Sequence, residues 1–125
     1  MLFFNVLYVL AQIFGKTDRT HVGDLYVAQI FGIVLAKHVA PDGDEMVSFA
    51  RGSYRDALLL AERLQNAGLQ QWVARESTDE LRRRLRLSYN AMQHDKRRWV
   101  RECATELYTV VLIELDKREA VQVTA

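Results

Sequence analysis

Cys103, His21, His38, His94 and the carboxylates are the side chains most able to do covalent, acid–base or metal chemistry in this sequence. Cys103 with His94 would make a nucleophile and its base. On one helix their separation puts them on opposite faces, and Cys103 falls inside an apolar stripe, so a buried, inert thiol is expected. His38, Asp42, Asp44 and Glu45 form the densest group of imidazole and oxygen donors. A hard cation would accept the three carboxylates of such a turn, but no calcium-loop spacing follows them, and a solvated turn is the expectation. His21 with Asp24 is a weaker pair, because Asp24 is placed to cap a helix. Glu102, Glu106, Glu114 and Asp116 lie opposite the apolar stripe of their helix, with no cleft to shift their pKa values. No Gly-x-Ser-x-Gly elbow, phosphate loop, dinucleotide fingerprint or zinc-spaced histidine pair is present. The chain is therefore expected not to be an enzyme and to hold neither cofactor nor metal.

The arginines carry the main functional expectation. Residues 75–101 contain nine basic side chains (Arg75, Arg82, Arg83, Arg84, Arg86, Lys96, Arg97, Arg98, Arg101) against four acidic ones, so the segment is +5 in a chain of net charge +1. On a helix, Arg82, Arg83, Arg86, Lys96, Arg97 and Arg101 fall within about 140°. Like charges at i, i+4, as in Arg82/Arg86 and Arg97/Arg101, repel by a few tenths of a kcal/mol. Three things would relieve the repulsion: carboxylates elsewhere in the chain, an acidic protein surface, or nucleic-acid phosphate. Arg82, Arg83, Arg86, Lys96, Arg97, Arg98 and Arg101 are accordingly the candidate contacts for a protein partner or a nucleic acid.

Several elements must position these groups. In residues 1–14 the polar Asn5 and Gln12 are seven apart on one helical face, and Gly15 stands where a terminating glycine would, so a helix is expected; the aromatic and β-branched content also suits a strand. Asp24 would cap a second helix from Leu25 to about Val39, with Gln29, Ile33 and Lys37 on one face and Pro41 beyond its end. The competing reading is a hairpin turning at Pro41-Asp42-Gly43, with 45–51 as the return strand. Ser53 and Asp56 open a third helix on Ala57, Leu60, Ala61 and Leu64, closed by Gly68. Leu69–Glu76 reads as a short strand or as a helical continuation. Ser77 and Glu80 form a capping box ahead of Leu81, Leu85, Ser88 and Met92. The pattern resumes as Trp99, Val100, Cys103, Ala104, Leu107, Tyr108, Val111, Leu112 and Leu115. One helix over 78–118 would be about 60 Å long, against roughly 30 Å for a compact domain of this size. It must break near 93–96 or project toward a partner. Residues 121–125 are expected to fray.

Two segments echo each other: residues 7–15 read LYVLAQIFG and residues 25–32 read LYVAQIFG. The missing leucine would rotate a helix by about 100° or flip the faces of a strand. Similarity between two core-facing runs accounts for both copies; two paired elements meeting at a pseudo-symmetric contact is the sharper alternative. Gly52-Ser-Tyr54-Arg-Asp-Ala57-Leu58 resembles the opening of the second helix of a tetratricopeptide repeat over about 15 residues, without a second copy at the 34-residue spacing. It is read as helix-hairpin chemistry.

The chain has 125 residues, half of them hydrophobic and 26% charged, which excludes a disordered tail. A single cysteine excludes an internal disulfide framework and fits a reducing, cytoplasmic setting. Arginine outnumbers lysine 13 to 4, read as the bias of a GC-rich bacterial or phage source. Residues 1–14 lack the basic flank and cleavage site of a signal peptide and are shorter than a membrane span. Both apolar runs, 1–14 and 25–36, are read as buried elements. The expectation is one mainly α domain over 1–125, of four or five helices with a long C-terminal helical segment; the alternative is α+β with a small antiparallel sheet. The function expected is a non-catalytic interaction or regulatory protein that binds itself, as a homo-oligomer, or a protein partner, through apolar helical surface and the Arg-rich helix. The alternative is a small nucleic-acid-binding regulator using that helix.

Overall fold

The computed structural model describes residues 2–41 and 43–124. The element order is α1 (Leu2–Phe14), β1 (Lys16–Thr20), β2 (Leu25–Ile30), β3 (Ile33–Val39), β4 (Glu45–Arg51), α2 (Tyr54–Arg75), α3 (Thr78–His94) and α4 (Arg98–Thr124). The architecture is thus α+β, the alternative reading, and not mainly α. The chain divides into two compact units, Met1–Ala67 and Gly68–Ala125.

The first unit is an antiparallel meander in the order β1-β2-β3-β4, with α1 packed on one face. The helix expected over 25–39 is instead two strands, with Ile30 paired to Ile33 across the two-residue turn Phe31-Gly32. The reason for the misreading is burial on both faces. Leu25 and Val27 point to one side of β2 and Ala28 and Ile30 to the other, and all four are at most 2% exposed. A strand buried on both sides shows a continuous apolar run, which lacks the alternation that marks a half-buried strand. Gly32, which weakens a helix, supplies the left-handed turn residue. Asp24 is not a helix cap: it has φ 52° in the β1–β2 loop, and its carbonyl accepts from the Val39 amide at 3.1 Å. The polar stretch at 16–20 is the edge strand β1, where charged side chains also discourage further strand pairing. The competing hairpin with 45–51 as its return strand is the one found, although Asp42 of its turn lies outside the described residues.

The echoing segments take different structures and touch. Residues 7–14 are helix, residues 25–30 are strand, and Tyr8 meets Tyr26 edge-on with centroids 6.0 Å apart. The contact is a helix lying on a strand, so no pseudo-symmetry relates the copies. Phe4 and Ala11 of α1 pack with Ala28, Ile30 and Leu35. Lys37 is 9% exposed beneath the same helix. Its ammonium lies 4.9 Å from the centroids of both Phe4 and Tyr26 and 3.7 Å from a Glu45 carboxylate oxygen. Opposite charge and two ring faces compensate its loss of water. Gly15 ends α1 hard against the sheet, where a Cβ would collide with the Gln29 carbonyl.

Asp56 accepts from the Ser53 amide at 2.8 Å, the reciprocal half of a capping box at the start of α2. Gly68 does not close this helix, which runs to Arg75, so the ambiguous stretch is helical over 69–75 and Glu76 lies just beyond its end. In the second unit Ser77 caps α3, its Oγ accepting from the Glu80 amide at 3.2 Å. The long helical stretch breaks where expected. The Asp95 amide donates to the Ala91 carbonyl at 3.0 Å, while its carboxylate accepts from the Arg97 amide at 2.9 Å. Asp95 thus ends one helix and admits the next. The α4 stripe Trp99, Val100, Cys103, Ala104, Leu107 and Val111 is buried, and Leu112 lies at its exposed edge. Residues 121–124 continue the helix, while Ala125 lies outside the described residues.

The turn residue Phe31 is unusual. It holds φ 53° beside Gly32 at φ 75°, the conformation in which hairpins favour Asn-Gly, and it is 81% exposed. A left-handed, bulky side chain costs about 1–2 kcal/mol. Phe31→Asn should therefore raise the stability of the chain in dilute solution by about 1 kcal/mol, read as a higher urea midpoint with an unchanged slope.

Candidate interaction surfaces

The arginine stripe is largely answered from within the second unit. Glu80 accepts from Arg83 and, at 3.0 Å, from Arg84. Arg84 is only 7% exposed, and its guanidinium lies 5.1 Å from the centroid of Trp72. Arg97 clamps the Asp95 carboxylate through Nε and Nη2, each at 3.0 Å. Arg101 donates to the Asp95 carbonyl at 2.8 Å, and Arg98 pairs with Glu102 at 3.0 Å. Arg82 stands 3.7 Å from Asp79, both well exposed. These pairings hold two carboxylates below their usual range. Hydrogen bonding from Arg83 is the main cause at Glu80, which drops from 4.5 to about 2. The hydrogen bonds from Arg97 lead at Asp95.

Nor do the seven candidates form one patch. Arg82, Arg83 and Arg86 belong to α3, with Arg82 level with Leu115 and Arg118 of α4. Lys96, Arg97, Arg98 and Arg101 cluster at the α3–α4 turn. About 20 Å of helix separates Arg82 from that turn. The arginine that sequence reading passed over is Arg118. It donates to the carbonyls of Val73 (3.2 Å) and Glu76 (2.8 Å), to Thr78 Oγ1 (3.0 Å) and to Glu114 (3.0 Å). It satisfies carbonyls at the C-terminus of α2 and ties α4 to the α2–α3 junction. Glu114, four residues before it on the same helix, was the available signal. A groove of about 330 Å³ opens beside it, lined by Arg82, Leu85 and Leu115 among others.

The remaining candidates for chemistry do not converge. Cys103 is 3% exposed within the α4 stripe, and His94 ends α3. His38 and Glu45 point to opposite faces of the meander, since His38 pairs with Met46 and Val39 with Glu45. Glu45 is engaged with Lys37, and Asp42 lies outside the described residues. Among the described residues no three His, Cys, Asp or Glu side chains gather as a metal site.

The surface that stands out is the outer side of α1. No residue of 2–14 is ionisable as an acid or a base at neutral pH; the side turned from the sheet carries Val6 (49% exposed), Val9 (54%), Leu10 (37%), Ile13 (66%) and Phe14 (69%), and Phe3 (65%) stands at its edge with its ring tilted against Phe49 of β4, centroids 5.5 Å apart. The expectation that this run is wholly buried is therefore corrected: one side of a helix can cover the meander, and the other side here is no more polar. The signal was in the sequence, because a helix with only Asn5 and Gln12 as strongly polar positions has apolar groups all round. Phe31 lies at the same end of the sheet as the end of α1, where Gly15 meets Gln29 and Ile30.

Comparison with protein-family models, curated proteins and solved structures finds no match to the chain. Among the described residues no helix is long and apolar enough to cross a membrane.

The carboxylate geometry yields a pH test. The folded Glu80 carboxyl titrates near 2 instead of 4.5, so the unfolded chain takes up the proton first as pH falls. The stabilisation is complete above about pH 5 and is lost between that value and pH 2. Glu80→Gln should lower stability by about 1–2 kcal/mol at pH 7. In helical circular dichroism the gap between variant and wild type should close as pH falls through that window.

Proposed function

We propose that this chain is a non-catalytic interaction protein, regulatory in its mode of action, that binds itself or a protein partner through the apolar outer face of α1. The observation that carries the reading is the size of that face. Six large side chains of α1 stand between 37% and 69% in water. With Phe31 they leave roughly 700–800 Å² of apolar surface exposed, taking about 150–250 Å² for a whole aromatic side chain. A monomer's largest apolar patch is ordinarily about 300–600 Å², and larger ones mark contact sites. The buried cysteine fits a reducing, cytoplasmic setting for this activity.

The alternative of a nucleic-acid regulator draws less support, because Arg83, Arg84, Arg97, Arg98 and Arg101 already hold carboxylate or carbonyl oxygens of their own chain. Arg84 is buried against Trp72, while Arg83, Arg97 and Arg98 form pairs at the surface.

A photo-activated benzoylphenylalanine in place of Val9 tests the reading, using the purified chain and nuclease-treated host extract. Covalent adducts to protein, either to the chain itself or to another, are expected. Absence of protein adducts would overturn the reading. So would binding to duplex DNA or single-stranded RNA whose log affinity falls steeply with log salt and is lost on charge reversal at Arg82 and Arg97.

A further inference from the structure

We propose that the occupant of the α1 face is a second copy of this chain, with the two α1 helices packed antiparallel about a two-fold axis near Tyr8 and Phe31 of each copy closing one end of the seam. This rests on the reading of α1 as an interaction surface and names its partner.

The spacing of the exposed residues is the first argument. Phe3, Val6, Leu10 and Ile13 are separated by three, four and three positions, the a/d spacing by which one helix packs against another. The set is also self-complementary when reversed. In an antiparallel pair centred on position 8, Phe3 falls opposite Ile13 of the other copy and Val6 opposite Leu10, so large faces large and both ends match at once. A two-fold interface requires this property: each patch must fit itself in reverse.

Charge and area select the copy over other occupants. A surface with no acidic or basic side chain offers nothing to steer a charged partner, and a second copy adds no like-charge repulsion. Helices that lie on membranes carry lysine and arginine along the polar side, and α1 has none. The roughly 700–800 Å² of exposed apolar surface matches the approximately 800 Å² per partner of a standard stable interface.

Phe31 is the independent observation. A phenylalanine held at φ 53° and 81% exposed raises the energy of the isolated unit twice, through backbone strain and through apolar surface in water. Residues kept in such conformations cluster where they contact something. At the end of the sheet shared with Ile13 and Phe14, the ring extends the seam.

Sedimentation equilibrium of the full chain from about 1 to 200 µM should show a monomer–dimer equilibrium with no larger species, as closed two-fold association requires. Ile13→Asp should weaken it on the order of 100-fold with unchanged circular dichroism, since Ile13 lies outside the core. Phe31→Asn should weaken it about tenfold while the monomer becomes more stable, a combination that loss of fold does not produce. In a Cys103→Ala background, Phe3→Cys and Ile13→Cys chains should form a mixed disulfide when combined and none when oxidised separately. The like positions of antiparallel helices would be about 15 Å apart, beyond disulfide reach. A wild type that is monomeric throughout, a dimer indifferent to Ile13→Asp, disulfides between like positions, or a monomer that sediments with neutral or anionic phospholipid vesicles would each overturn the proposal. A monomeric chain whose position-9 adducts go only to other proteins would overturn this proposal and leave the interaction reading standing.

Discussion

A four-stranded meander has two faces to keep from water, and one of them is covered by a single helix containing no acid or base. That constraint organises the first unit. Phe4, Tyr8 and Ala11 press on Tyr26, Ala28, Ile30 and Leu35, and the burial is deep enough to hold Lys37 in a slot of two rings and one carboxylate. Seating the helix so closely requires Gly15, whose missing side chain lets α1 end against Gln29. The same choice of residues leaves the far side of α1 apolar and exposed. The cover that completes the core therefore also creates the surface from which the functional reading comes.

The second unit uses charge where the first avoids it. Glu80 and Asp95 each collect arginines at a helix end, and Arg118 supplies the carbonyls of the α2 terminus with the donors they need. A basic run read along the sequence repels itself; folded, it is interleaved with acceptors that helix ends present. Exposed pairs of this kind contribute little each. The buried one, Arg84 against Trp72, fixes how the helices meet, because a buried guanidinium left without its acceptor is costly.

The two LYV-AQIFG segments show how far local sequence constrains local structure here. In residues 7–14 the string is helical, while in residues 25–30 nearly the same string is a strand. Its residues have no decisive propensity, since leucine, alanine and glutamine favour a helix, whereas tyrosine, valine, isoleucine and phenylalanine favour a strand. What differs is the setting. The second copy is followed by Phe31-Gly32 in a left-handed turn that returns the chain alongside it. The first copy ends at Gly15 with no such partner to pair with.

Sequence alone determined the features that depend on neighbours along the chain: the capped starts of α2 and α3 and the apolar stripe of α4. Each is a matter of periodicity, or of a side chain reaching a backbone group within about four residues. The tertiary structure decided the rest. Strands buried on both faces carry no alternation to read, so β2 and β3 looked like a helix. Whether an arginine is free or paired depends on acceptors such as the Val73 and Glu76 carbonyls, more than 40 residues from Arg118. Whether an apolar helix is core or surface depends on how many of its sides the fold has something to cover. For α1 the sheet covers one side, and the residues left over are the ones on which the function is proposed.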